Sequence, residues 1–181
     1  MFDFLPTALI LIAASLVGFL AYVATLPSEF RIERSLAIDA PPETIFPLIN
    51  DLRNFNRWNP FLAADPAAKL VYRGADTGVG AAYDWNSTGR AGAGSMIITN
   101  SAPSSRVNLD LNFSKPFVAN NVVEFLLTPA GRTTTVSWVM SGRRPFFHKL
   151  MGTLFNMDKM VGGEFAKGLA SLKALAEAPT A

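Results

Sequence analysis

No cysteine occurs anywhere in the 181 residues. Disulfide staples, thiol nucleophiles and thiolate metal sites are excluded by that fact alone. The absence fits a reducing or an oxidising compartment equally and so does not assign one. Histidine is almost as scarce, with His148 as the single example, beside Arg143, Arg144 and Lys149. That setting reads as a surface position at a helix end, because a general base needs a partner and a pocket. One imidazole without thiols leaves too few ligands for a zinc site. The nucleophile elbow, the P-loop and the dinucleotide fingerprint are missing as well. Gly74, Gly78, Gly80, Gly92 and Gly94 are spread over strand ends, as turns and bulges are, and do not form a phosphate cradle. Charge is thin too: 17% of residues are charged, against roughly 25% in an ordinary soluble domain. Sixteen basic and fourteen acidic side chains leave +2, without a Lys/Arg cluster, so a nucleic-acid surface is not expected. At most this balance suits an anionic membrane close by. The sequence thus offers no catalytic constellation, and neither a metal nor a cofactor is expected.

What the chain holds in excess is apolar. From Leu5 to Leu26 the run LPTALILIAASLVGFLAYVATL carries no charge. A hydrocarbon core about 30 Å thick needs roughly 20 helical residues, so this segment can span it. Tyr22 suits an interface and Pro27 marks a stop. A cleaved signal peptide would have a basic start and an apolar stretch of about 7–15 residues. Here no Lys or Arg precedes the run, and Ala21, Ala24 and Thr25 do not form an A-x-A site. Residues 1–28 are therefore expected to be an uncleaved, single-pass transmembrane anchor. Arg31 and Arg34 follow the span, which leans the rest of the chain toward the cytoplasm, although Glu29 and Glu33 alternate with them.

Residues 29–177 read as one domain, with 178–181 as a short tail. FRIERSLAID alternates as a strand, with Phe30, Ile32, Leu36 and Ile38 on one face. Arg34 falls on that apolar face. Either it reaches a cavity rim, or it meets a buried acid, or a bulge turns it outward. Next, Asp39 can cap a helix opened by Pro41, Pro42 and Glu43. Pro47 removes a hydrogen bond and predicts a short or kinked helix. A second short helix is expected over Asp51–Phe55, ended by Trp58-Asn59-Pro60. From Lys69 to Met140 six strand-like runs follow between turn clusters, and TPAGRT reads as a hairpin turn. The last segment changes period: Phe147, Leu150, Met151, Leu154, Met157, Val161, Phe165, Leu169, Leu172 and Leu175 predict one long amphipathic helix. Gly162-Gly163 within it predicts a bend, or a place where strands approach closely. The order has one natural solution, an α+β fold in which a twisted antiparallel sheet of about seven strands curls around the long helix. The two short helices close one end, and the space between sheet and helix is a pocket.

FRIERSLAIDAPPETIFPLINDLRNFNRWNP, TGVGAAYDWN, GSMIITNSAPSSRV and MDKMVGGEFAKGLASLKALAE, in this order, resemble the SRPBCC (START/Bet v 1-like) superfamily. More closely, they resemble bacterial proteins of the polyketide cyclase/dehydrase and lipid transport type that carry an N-terminal anchor. Residues 29–177 carry the likeness. Its most specific parts are Ile38 to Phe46, Trp58–Pro60 and Gly168–Lys173. The resemblance implies a helix-grip fold, a hydrophobic ligand cavity and a bacterial inner-membrane setting. It implies no reaction, because such folds host carriers, binders and enzymes alike.

Aromatic and sulfur-bearing side chains are the richer signal for that cavity. Trp58, Tyr83, Trp85, Met96, Phe113, Phe125, Trp138, Phe155 and Met157 are the expected lining. Arg34, Asp84 and Glu124 are the candidate polar residues inside it. Three functions compete. The first is a membrane-tethered binder or carrier of a lipid or other hydrophobic small molecule. The second is a cyclase or dehydratase acting on an apolar polyketide-like substrate, using Arg34, Tyr83, Asp84 or Glu124. The third is a protein-interaction module whose partner the sequence does not identify.

Overall fold

The first apolar run is helical throughout. In the computed structural model, which describes residues 4–89, 91–154 and 156–178, helix α1 spans Phe4–Thr25. Its side chains are apolar on every face and almost all exposed. Pro6–Thr25 is long and apolar enough to cross a membrane. Val23, in the last turn, is the exception: it is fully buried, where α1 packs on helix α5 (Phe146–Leu154).

Seven strands form one antiparallel sheet: β1 Glu29–Ile38, β2 Lys69–Gly74, β3 Ala81–Asn86, β4 Ala93–Ala102, β5 Arg106–Lys115, β6 Ala119–Ala130 and β7 Thr133–Arg143. Their order is β1-β7-β6-β5-β4-β3-β2. Strands β2 to β7 follow one another as neighbours, and β1 returns to pair with β7, from Glu29 opposite Arg143 to Ile38 opposite Thr134. The predicted hairpin is present at Gly131-Arg132, with Gly131 at φ +66°, which glycine adopts without steric cost. Helix α6 (Met157–Ala176) crosses the concave face of the sheet. It buries Phe165, Leu169, Leu172 and Ala176 against Ile32, Ile38, Val136 and Trp138. Each large side chain removed from water there contributes about 1.5–3 kcal/mol.

The structure corrects three expectations. Between β1 and β2 lie three short helices, α2 Pro42–Asn50, α3 Leu52–Phe55 and α4 Pro60–Ala63, where two were expected. The Trp-Asn-Pro element starts a helical turn as well as ending one. The Asn59 side chain accepts from Phe61 N at 3.1 Å, and Pro60 occupies the first position, where its missing N–H costs nothing. Asp39 caps nothing. Pro41 is the N-cap of α2, and the Asp39 amide instead donates to Glu177 Oε1 at 2.6 Å. The single long C-terminal helix is two, because Asn156 caps α6 by accepting from Lys159 N. Gly162-Gly163 does not break α6. The missing side chain at Gly162 makes room for the Arg34 guanidinium, which a Cβ there would strike. The predicted close approach of a strand is thus the arginine of β1.

Candidate ligand cavity

Between the sheet and α6 lies a cavity of about 500 Å³. It occupies one half of the concave face. The other half is filled by Ile38, Ile45, Ile49, Leu127, Val136 and Leu172, all of them buried. Its floor is aromatic. The Trp138 ring stacks on Phe165 with centroids 4.2 Å apart and planes 7° apart. Gly168 permits this closeness, since a Cβ there would lie 2.7 Å from Trp138 Cζ3. Trp85 packs against Gly94, its partner in the β3–β4 register, where a Cβ would strike the indole ring. Its indole N–H donates to the Ala91 carbonyl at 2.9 Å. Phe113 meets it edge-on at 5.5 Å. A glycine opposite a tryptophan lets the large ring cover backbone, which rigidifies this wall.

Six of the nine expected lining residues stand in the wall: Tyr83, Trp85, Met96, Phe113, Trp138 and Met157. Trp58 and Phe125 are buried behind it, edge-on to Phe55. The Trp58 indole donates to the Leu48 carbonyl at 2.8 Å, so this ring anchors α2 and leaves the wall to its neighbours. Phe155 lies outside the described residues, as does the side chain of His148.

Of the polar candidates, none of the three charged ones lines the cavity. Tyr83 and Trp85 face inward, so strand alternation turns Asp84 outward, where it receives Arg73 Nε at 2.9 Å and Nη2 at 3.0 Å. Glu124 alternates with the buried Val123 and Phe125 and pairs with Arg106 at 3.3 Å. Arg34 meets an acid, but an exposed one where a buried one was expected. Its Nη2 donates to Asp158 Oδ2 at 2.9 Å and to the Asp158 carbonyl at 3.0 Å, clasping β1 to the start of α6. That hydrogen bond holds the Asp158 carboxyl below its usual range.

The polar groups the cavity does contain are Tyr83, already a candidate, and others that were not. Tyr83 is buried, and loss of solvent pushes its phenol upward, reinforced by Tyr72 and opposed by a hydrogen bond from Asn59. The Asn59 amide donates in turn to Asn56 Oδ1, and Asn56 donates to the Tyr72 hydroxyl at 3.0 Å. The Trp138 Nε1 proton is buried with no hydrogen-bond partner among the described residues, at a cost of about 1–3 kcal/mol. Lys115, Asn121, Arg143 and Arg144 complete the polar set. Sequence reasoning missed Asn59, Lys115, Asn121, Arg143 and Arg144 as wall residues. It also missed Phe30, Met151, Val161 and Phe165 as wall residues, although the four-residue steps Met157, Val161, Phe165 already placed three side chains on one helix stripe. Among the described residues, no carboxylate or imidazole lines the cavity, and no cluster of three metal-ligating side chains occurs.

A curved antiparallel sheet that grips a long helix around an apolar cavity defines a helix-grip protein of the SRPBCC, Bet v 1-like kind. The chain belongs to the polyketide cyclase/dehydrase and lipid transport family, whose model matches residues 29–177. Solved structures share the fold. Protein MLL2253 from Mesorhizobium loti superposes with a TM-score of 0.59 at 19% identity, over 81% of this chain and 96% of its own. Protein CV1439 from Chromobacterium violaceum gives 0.58 at 17% identity, over 85% and 100%. The Aha1 dimer from Colwellia psychrerythraea gives 0.58 at 18% identity, over 82% and 96%. No curated protein sequence matches the chain.

Proposed function

We propose that this protein is a membrane-tethered carrier or binder that holds one hydrophobic molecule between its sheet and α6. The observation that carries the reading is the cavity itself, about 500 Å³ walled by aromatic, aliphatic and methionine side chains. Ligand sites of this kind span roughly 300–1,000 Å³. An engineered cavity of about 150 Å³ takes one benzene, so this volume suits a single acyl chain or fused polycycle of roughly eighteen carbons. The buried polar groups of the described wall, Asn59, Tyr83 and Asn121, are few against its apolar side chains, which suits holding a hydrophobic molecule.

The tether is α1, and its last turn is part of the packing, with Val23 buried and the Ala24 carbonyl accepting from Lys149 of α5. A signal sequence removed after export would leave that contact unmade. We assign the domain to the cytoplasmic side from Arg31 and Arg34 beyond the span.

The test is native mass spectrometry and lipid extraction on the full chain purified from membranes. A stoichiometric apolar molecule, lost in an Ala119→Trp variant that fills the cavity and keeps its melting transition, is the expected result. Protein that is ligand-free and also refuses fatty acids, lysolipids and polycyclic aromatics refutes the reading.

A further inference from the structure

The cavity has a direction. Because every neighbouring pair of strands is antiparallel, the start of β1 shares one edge of the sheet with the ends of β7 and β5 and the start of β6. The wall residues that are solvent-exposed are Phe61, Lys115, Pro116, Phe117, Arg143 and Met157. All but Phe61, on α4, belong to that edge or to the facing end of α6, so the cavity opens there.

It is also the edge that α1 enters. Ser28 accepts from Arg144 N at 2.6 Å, and Lys149 Nζ donates to the Ala24 carbonyl in the last turn of α1 at 3.3 Å. The Arg144 guanidinium lies over Phe30, 5.0 Å from the ring centroid. Three cations line the opening, Lys115, Arg143 and Arg144. None has an ion-pair partner among the described residues. Glu29 stands opposite Arg143 in the ladder and does not pair with it. Beside them Phe117 and Val118 are 53% and 72% exposed. Cations flanked by exposed apolar side chains at the foot of a spanning helix match a headgroup layer, where both kinds of group are satisfied.

We propose that the mouth faces the bilayer and takes a single-chain anionic amphiphile. Its chain enters the aromatic cavity, and its head, a carboxylate or a phosphate, is held by Lys115, Arg143 and Arg144. The inference rests on the carrier reading above and adds head charge, chain number and route of entry to it. Entry from the bilayer needs no transfer of the chain through water, and the arginines hold an anion with paired N–H donors at the point where the chain leaves the membrane.

The experiment uses the full chain in phosphatidylcholine nanodiscs. Photoactivatable diazirine lipids of one chain length are dissolved in the bilayer: a fatty acid, a lysophosphatidate, a lysophosphatidylcholine and a long-chain alcohol. Adducts are mapped by mass spectrometry to the β5 and β7 wall peptides or to α1. The fatty acid, the lysophosphatidate or both should label the wall about tenfold more than the alcohol and the zwitterion, as expected for charge-assisted hydrogen bonds. The carboxylate and phosphate arms tell the two sources apart. In the variant K115Q/R143Q/R144Q this preference should fall to within about twofold, while alcohol labelling of the wall stays as in wild type. If that variant loses its melting transition, Arg143→Gln alone, at an exposed and unpaired position, should lower the preference at least threefold. Equal wall labelling by all four heads, or a preference that survives the variants, overturns the proposal and leaves the carrier reading standing. Wall peptides labelled by none of the four overturn both.

Discussion

Gly163→Ala and Gly168→Ala add the same methyl group to the same helix and should move stability in opposite directions. Alanine is worth up to about 1 kcal/mol over glycine within a helix, and both variants gain this term. At Gly163 nothing lies within 4 Å of the new Cβ, so the gain stands and the protein is stabilised by about 0.5–1 kcal/mol. At Gly168 the new Cβ would sit 2.7 Å from Trp138 Cζ3 and 2.9 Å from Pro60 Cδ. Neither neighbour yields easily. Trp138 is held between Phe165 at 4.2 Å and Trp58 at 5.6 Å, and the Pro60 ring is fixed at the start of α4. Overpacking a filled site of this kind costs about 1–3 kcal/mol. The helix term cancels when the variants are compared, so their difference isolates the overpacking cost. For a chain of this size each kcal/mol shifts Tm by about 2–4 °C. Thermal unfolding of the full chain in a nonionic detergent, followed by near-UV circular dichroism of the tryptophans, reads the difference. Variants that agree within about 0.5 kcal/mol would refute the seating of α6 on Trp138 and Pro60.

Other outcomes follow from single contacts. Trp58→Phe breaks the indole bond to the Leu48 carbonyl, whereas Trp138→Phe removes an N–H with no partner among the described residues; urea unfolding should find the first costlier by about 1–2 kcal/mol. Acid should destabilise the fold in a defined window. The Asp65 carboxyl is held below its usual range by the Ala91 N–H and then the Ser87 hydroxyl, and Glu177 by Lys173 and then the Asp39 N–H. Depressed carboxylates contribute fully above their unfolded values, near pH 4, and lose that contribution as pH falls through the folded ones. Tm should therefore hold from pH 7 to about 5 and fall below about 4, and Asp65→Asn should flatten part of that acid limb. The purified chain should retain residues 1–28 by intact mass and stay in the membrane pellet after alkaline carbonate washing; a product beginning near Ser28 would refute the tether.

Fold and cavity were legible to different depths. Period-2 alternation fixes which face a strand side chain takes, and it puts Asp84 opposite Tyr83 and Trp85 and Glu124 opposite Val123 and Phe125, although both acids were expected inside the cavity. It does not say how far from the helix layer a buried ring stops. Trp58 and Phe125 carry the same signal as Trp85 and Trp138, yet they end behind the wall, where Phe55 of α3 packs edge-on against both. The third short helix was hidden for a different reason. Asn59-Pro60 serves equally to end one helix and to cap the next, and only the Asn59 bond to Phe61 N decides between these roles. Arg34 is the instructive residue. Its place on an apolar face is one conflict in the sequence, and Gly162-Gly163 inside a helical pattern is another. The two are one feature, a guanidinium seated where α6 has no side chain, and pairing them required knowing that β1 lies under α6.

The direction of the cavity is a case where the information was present but needed one long-range pairing to be used. Strands β2 to β7 are joined in sequence as antiparallel neighbours, so chain direction alternates through them and parity alone groups the ends of odd strands with the starts of even ones. Strand β1 breaks that count, because it pairs with β7 across the whole domain. Once that pairing is known, the start of β1 joins the ends of β3, β5 and β7, and the apolar helix that precedes β1 is led to the edge of the sheet that carries Lys115 and Arg143. The cations are then more than scattered surface charge. They mark the end of the sheet that the apolar helix enters, and the cavity opens between the two.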